Sequence, residues 1–446
     1  KLSRSSTEGP VAKLLALAKE LREAGRPEVA CVALRDGLKE WSESPELWAD
    51  LGFALRECGD LPGAVEALQA ATSLDPTNVT ALEALAALCA RLHRLYEVFD
   101  ARLALLKLSP DSTAAFAAVA LTVPSGRTFG PWIDYLGERA RDSQAPWFVF
   151  RYLTRALVRD EGFEDAVLPA QRWVQLRPDD PEGWENLALA AAQTKRRAAA
   201  LDALERAKEL QSEDVTESMP HATPAQRQAA QAEVRAARHK VYAEVYSLLG
   251  MNSEAVQELK AAILAKPRDY AQHVDLGLAH ARGGNADSAL EEFQLAYDLC
   301  AQGEFASQFP DILANTRASI LVRWSQGLQL LGKAQPAIET VSRIPSVAPD
   351  WAAETHREIA FIHFASGRFA PAIEAFEEAF RLNPELVWPD AHYKFAIALL
   401  KTGNREKALK EYGVLGAIAN RQDLEGTGTP RQARAYLSEL AALLYK

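Results

Sequence analysis

PELWADLGFALRECGDLPGAVEALQAATSLDPTN, residues 45–78, carries the decisive spacing. Its landmarks are Pro45, Trp48, Leu51, Gly52, Leu55, Ala64, Leu68, Ala71 and Pro76. Pro181, Trp184, Leu187, Ala188, Ala191, Ala200, Leu204 and Ala207 repeat most of them at matching offsets. The rhythm is ~34 residues, a period at which paired helices stack on their neighbours. Such a unit hides its helix faces against the next one, leaving a long curved surface and no enclosed pocket. The expectation is a chain that holds other proteins and performs no chemistry.

The remaining sequence aligns on the proline that closes each unit and the small residue of each second helix. The units are 11–44, 45–78, 79–112, 113–146, 147–180, 181–214, 236–269, 270–303, 318–351, 353–386 and 389–422. Ala30, Ala64, Ala166, Ala200, Ala255, Ala289, Ala337, Ala372 and Ala408 share one position, where a small side chain lets two helices approach closely. Gly25, Gly59, Gly250, Gly284, Gly332, Gly367 and Gly403 recur near the turn between helices, where glycine adopts a left-handed backbone at little cost. Pro76, Pro110, Pro178, Pro267, Pro349 and Pro384 end the second helices.

With these matches in register, the chain resembles the tetratricopeptide repeat (TPR) family over almost its whole length. The resemblance implies an all-α fold: a right-handed TPR superhelix, or α-solenoid, of about eleven helix pairs, with first helices on the concave face. Residues 1–446 are then a single solenoid. The family is a recognition scaffold in nearly all its contexts and does not dictate a ligand.

Two units depart from the pattern. In 79–112, Val98 replaces the small residue and Arg102 a large one; in 113–146, a swollen turn over Thr122–Gly130 precedes a restart near Pro131. Both read as degenerate repeats, or as a kink or contact loop. Insertions 215–235 and 304–317 each carry a proline suited to a helix start, Pro224 and Pro310. Either two overlong first helices protrude from one edge, or loops lead into ordinary helices; the unbroken helical composition favours the former. A Gly/Thr loop over 422–429 leads to a capping helix, 430–445, with Tyr436, Leu437, Leu440, Leu443 and Leu444 as its apolar stripe.

Bulk properties agree with a soluble interaction module. The 446 residues are 48% hydrophobic and 25% charged, and the net charge of -10 argues against nonspecific nucleic-acid binding. No apolar run reaches the ~18 residues of a membrane span. Ala, Leu and Arg abound beside two methionines, Met219 and Met251, a bias of GC-rich bacterial genomes. The start at Lys1 without an initiator Met suggests an excised or processed fragment, which leaves room for a signal peptide, anchor or further domain outside it. Cys31, Cys58, Cys89 and Cys300 lack a CxxC pair and fall at different unit positions, so a shared site is not expected. Reduced thiols favour the cytoplasm, or the periplasm if a signal segment preceded Lys1.

No constellation for catalysis, cofactor or metal emerges. His273/His280 and His356/His363 are seven apart, about two helical turns or ~10 Å, too far for one metal ion. His239, His273, His356 and His392 share the fourth unit position with Trp48, which makes them packing substitutions with a polar edge. HExxH, GxxxxGK[ST] and strand-borne GxGxxG motifs are absent.

Unit positions 2, 5, 9, 12 and 13 should face the concave groove. In the fifth unit this face carries Arg151, Arg155 and Arg159, an i, i+4, i+8 ladder, and Lys240 extends the positive character two units later. Guanidinium forks suit an acidic segment or a terminal carboxylate, unless nearby acids already balance them. Phe361, Phe364, Tyr393, Ile397 and Leu400 form an apolar counterpart, a hydrophobic anchor site unless the capping helix or the 423–429 loop covers them. The Lys/Asn carboxylate clamp of some chaperone-binding family members is not supplied; Asn186 stands alone. The leading reading is a non-catalytic scaffold that binds a partner protein or peptide in its groove, within a bacterial envelope, motility, secretion or polarity assembly. The alternative is a regulatory or substrate-recognition TPR arm of a larger enzyme such as a glycosyltransferase.

Overall fold

The computed structural model describes residues 9–123, 130–210, 222–302, 309–385, 387–421 and 428–444. The swollen turn at 124–129, insertion residues 215–221 and 304–308, loop residues 422–427 and Tyr445 lie outside the described residues. Helices and their turns make up nearly all of the rest, and among the described residues there is no strand. The chain divides into two compact units, Lys1–Trp132 and Ile133–Lys446.

The first unit is built from α1 (Pro10–Glu23), α2 (Pro27–Glu40), α3 (Pro45–Glu57), α4 (Leu61–Leu74), α5 (Val79–Arg91), α6 (Leu95–Leu108) and α7 (Thr113–Ala120). Each start has a local cause. Ser44 accepts a hydrogen bond from the Leu47 amide with Pro45 at the first helical position, and Asn78 does the same for Ala81. Arg102, the departure noted in 79–112, donates from Nη1 to the Ala118 carbonyl at 3.0 Å, so a cation satisfies the end of short α7.

The second unit contains α9 (Trp147–Arg159), α10 (Phe163–Leu176), α11 (Pro181–Gln193), α12 (Arg197–Glu209), α13 (Pro224–Leu248), α14 (Asn252–Ala265), α15 (Tyr270–Arg282), α16 (Ala286–Leu299) and α17 (Pro310–Leu330), after α8 (Gly130–Ala140). Further pairs follow: Ala352–Ala365 with Phe369–Leu382, then Pro389–Lys401 with Arg405–Ala419, and last Gly428–Leu444. The long first helices begin at the two prolines: α13 has 25 residues and α17 has 21. A reciprocal capping box between Thr223 and Gln226 starts α13. Its leading part is tied down, because Lys266 at the end of α14 reaches Glu233 at 2.7 Å.

Two recurring details hold each pair together. Ala30, Ala64, Ala166, Ala200, Ala255, Ala289, Ala337, Ala372 and Ala408 are all 0% exposed. The seven aligned glycines all have positive φ, from 70° at Gly367 to 85° at Gly59. His93, Glu161 and Lys195 adopt the same left-handed backbone (φ 55–60°) at the equivalent place in their units. A side chain there is strained, by ~1–2 kcal/mol. Glycines inside helices also set the packing between pairs. A methyl at Gly277 or Gly327 would stand 2.9 or 2.6 Å from the Phe293 ring, so that fully buried ring lies against two bare backbones, one on α15 and one on α17.

Substituting Lys195→Gly is expected to stabilise the protein by about 1 kcal/mol, through relief of the left-handed strain. Gly327→Ala is expected to destabilise it by about 1–3 kcal/mol, through overpacking against Phe293. Chemical denaturation midpoints of the two variants check both signs.

Candidate functional site

In the first unit, α1, α3 and α5 line a groove of about 1040 Å³. Leu15, Lys19, Arg22 and Glu23 come from α1, then Glu46, Ala49, Phe53, Arg56 and Glu57 from α3, and Thr80, Glu83 and Ala87 from α5. All of them occupy the positions that the register assigns to a concave face. Sequence reasoning overlooked this stretch, although Phe53 at the ninth position was its signal.

Half-buried Phe53 is framed by charge. The guanidinium carbons of Arg22 and Arg56 each lie 5.5 Å from its ring centre, within cation–π range. Arg22 also binds Glu57 at 2.7 Å and Asp50 at 3.4 Å. Hydrogen bonding to Arg22 holds the Glu57 carboxyl below its usual range, whereas burial pushes Asp50 up. Three cations (Lys19, Arg22, Arg56) thus face five carboxylates (Glu23, Glu46, Asp50, Glu57, Glu83) along the lining. Glu46 and Glu83 are exposed.

The arginine ladder lies in the second unit on α9, and neighbouring groups engage it. Arg151 Nη2 meets Glu182 at 2.7 Å, and Arg155 Nη1 meets the other oxygen of the same carboxylate at 3.4 Å. Arg151 also lies 5.9 Å from the centre of the buried Trp173 ring. Lys240 pairs with Asp275 at 3.2 Å, at the border of a recess of about 510 Å³ that also holds Glu244, Arg282 and Arg323. The ladder and Lys240 therefore belong to a mixed-charge surface. Deeper on α11, burial pushes the Glu185 carboxyl up to about 7. Arg238 (Nε 3.6 Å away) and the Tyr242 hydroxyl (3.4 Å) oppose that shift; Glu182 and Asp180 add to it.

The apolar candidates are half-buried on the cluster beneath them. Tyr393 is covered: its ring stacks on Tyr436 of the last helix at 4.4 Å, and its hydroxyl donates to Glu439 at 2.6 Å. Burial and that carboxylate push the Tyr393 phenol up to about 12. Lys394 places its ammonium 3.7 Å from the centre of the Phe361 ring, while Phe364 lies edge-on to Phe369. Ile397 and Leu400 flank the same cluster. Leu440 and Leu444 are fully buried as the stripe requires, but Leu443 is 47% exposed and leaves it.

The shared histidine position has more structure than a packing substitution. His239, His273 and His392 each bring Nδ1 to within 2.6–2.7 Å of a glutamate nineteen residues on: Glu258, Glu292 and Glu411. His273 Nε2 lies 3.4 Å from the Pro267 carbonyl, six residues back, just as Trp48 donates to Ser42 and Trp184 to Pro178. Among the described residues, no group of three or more His, Cys, Asp or Glu is arranged to hold a metal ion. Nor is any helix there long and apolar enough to cross a membrane.

Three family models described as tetratricopeptide repeat match the sequence, one at residues 45–88, one at 353–386, and one at both 153–215 and 243–304. The chain is a tetratricopeptide repeat protein. This TPR protein has no match among curated proteins. Solved structures similar to it include yeast Tom70, at 14% identity over 97% of this chain and 96% of that one, with a TM-score of 0.33. Naa15/Naa10 bound to HypK-THB is 17% identical over 97% of this chain and 66% of that one (TM-score 0.32). MamA is 16% identical over 45% of this chain and 96% of that one (TM-score 0.27). None of these likenesses extends to a ligand.

Glu185 binds a proton more readily folded than unfolded, so between about pH 4.5 and 7 its contribution to stability falls as pH rises. Glu185→Gln removes that loss. The variant should gain about 1–3 kcal/mol over the parent at pH 8 and much less at pH 5. Thermal midpoints at the two pH values test this sign.

Proposed function

We propose that this TPR protein is a non-catalytic docking scaffold, and that the α1–α3–α5 groove is its principal partner site. Phe53 carries the reading: an aromatic face at the centre of the lining, flanked by Arg22 and Arg56. Rigid aromatic and arginine side chains in a concavity are the usual anchors of protein recognition. The surplus of carboxylates, with Glu46 and Glu83 exposed, favours a partner segment with an apolar side chain next to Lys or Arg.

The Arg151–Arg155 face is a secondary surface in this proposal, for an acidic segment that must compete with Glu182. Phe361, Phe364, Ile397 and Leu400 are a further apolar surface, with Tyr393 already engaged by the last helix. The Ala-, Leu- and Arg-rich composition supports a setting within a bacterial multiprotein assembly.

Panning displayed short peptides against the full chain is expected to select segments with an aromatic or aliphatic residue beside Lys or Arg. Phe53→Ala should weaken the selected peptide about 30-fold, the equivalent of about 2 kcal/mol. Glu46→Lys with Glu83→Lys, both at exposed positions, should weaken it similarly while the chain stays folded, the thermal midpoint falling only by the small loss of the Glu46 charge in the first turn of α3. Selection of acidic peptides, or binding indifferent to all three changes, would contradict this reading.

A further inference from the structure

Cys31 and Cys58 overturn the expectation of unrelated thiols. Cys31 is on α2 and buried, whereas Cys58 caps the end of α3 and is exposed. Their sulfurs lie 3.8 Å apart, although the residues are separated by 27 positions and belong to successive repeats. Unit positions concealed the pair, because the fifth residue of a second helix packs beside the end of the next first helix.

We propose that Cys31 and Cys58 are a reversible thiol–disulfide site that closes on reaction with a low-molecular-weight disulfide such as oxidised glutathione. A bond length near ~2.05 Å must replace the present 3.8 Å contact, an approach the proposal assigns to rotation of the two short side chains. Cys58 has room to yield, since it precedes Gly59, where the helix ends in a left-handed turn with φ 85°.

The chemistry balances without another reagent. The exposed Cys58 thiolate attacks one sulfur of the small disulfide; that S–S bond breaks, and the first thiolate leaves and takes up the proton that Cys58 lost. Cys31 then gives its proton to solvent and attacks Sγ of Cys58, and the second thiolate departs and is protonated. The two protein thiols lose two electrons, and one small disulfide becomes two thiols. In the dithiol state burial, reinforced by the contact with Cys58, pushes the Cys31 thiol up to about 11, so at neutral pH it is held as the thiol and its attack accelerates as pH rises.

The bridge would tie α2 to the end of α3 that carries Arg56 and Glu57. Glu57 also holds Arg22 of α1, so closure would restrain one wall of the groove. That consequence rests on the docking reading, whereas closure itself does not.

Incubating the full chain with oxidised glutathione, alkylating it and digesting it without reductant reads the outcome directly. A cross-linked peptide joining Cys31 to Cys58 is expected, with loss of two of the four thiols, alkylatable Cys89 and Cys300, and full reversal by dithiothreitol. Closure should be faster at pH 8.5 than at pH 7. Cys58→Ser, at an exposed position, should keep the Cys31 thiol unreacted; Cys31→Ser should stop at a glutathione adduct on Cys58. Persistent glutathione on Cys58 of the parent chain, chain-to-chain dimers through Cys58, or loss of the Cys31 thiol in Cys58→Ser would each overturn the proposal. If closure occurs but peptide affinity is the same in both redox states, the link between closure and the groove fails, while the thiol site stands and the docking reading is judged by its own peptide test.

Discussion

The close approach of the two helices in each pair is the constraint on which the structure depends. It is possible because the crossing residue is a fully buried alanine in nine second helices, from Ala30 to Ala408, and a buried valine, Val98, in that of unit 79–112. The chain can reverse so tightly only through a left-handed residue at the turn, a glycine in most units and a strained His93, Glu161 or Lys195 in three. A side chain larger than valine at that position would prise the pair apart, and neighbours packed through contacts such as Gly277–Phe293–Gly327 would lose their seat.

The groove follows from that arrangement. Once the apolar faces of the first helices are used in stacking, the residues left over line a concavity open to solvent. In the first unit they are Phe53 with a border of charge; in the second they are a mesh of Arg151, Arg155, Glu182, Lys240 and Asp275. Both surfaces are more acid-compensated than a census of their arginines alone suggests. Glu182 occupies two of the three rungs of the ladder, so that an approaching carboxylate meets a competitor.

Properties set within one helix or one turn were legible from the sequence. The shared alanines and glycines, the starts of α13 and α17 at Pro224 and Pro310, and the groove-facing positions that Phe53 and Glu83 occupy all follow from spacing alone. Relations between repeats were not legible. The Cys31–Cys58 contact, the Glu182 bridge to α9 and the stacking of Tyr436 on Tyr393 each join residues whose separation reflects packing between units rather than periodicity within one. The His–Glu pairs lie between these cases. Their constant interval of nineteen residues was present in the sequence, but it gains meaning only once the second helix is known to return beside the first.

Near-independence of distant repeats is the account's central claim, and amide hydrogen exchange on Ala289→Leu tests it most directly. Forcing a bulky side chain into the α15–α16 crossing should accelerate exchange about 10- to 100-fold across Tyr270–Leu299 and the adjacent helices, the equivalent of about 1–3 kcal/mol. Protection in the pair formed by Phe369–Leu382 and its partner helix should be unchanged. Uniform acceleration along the whole chain would reveal one cooperative core, and no change at all would show that the alanine crossing does not hold the pair; either result contradicts the account.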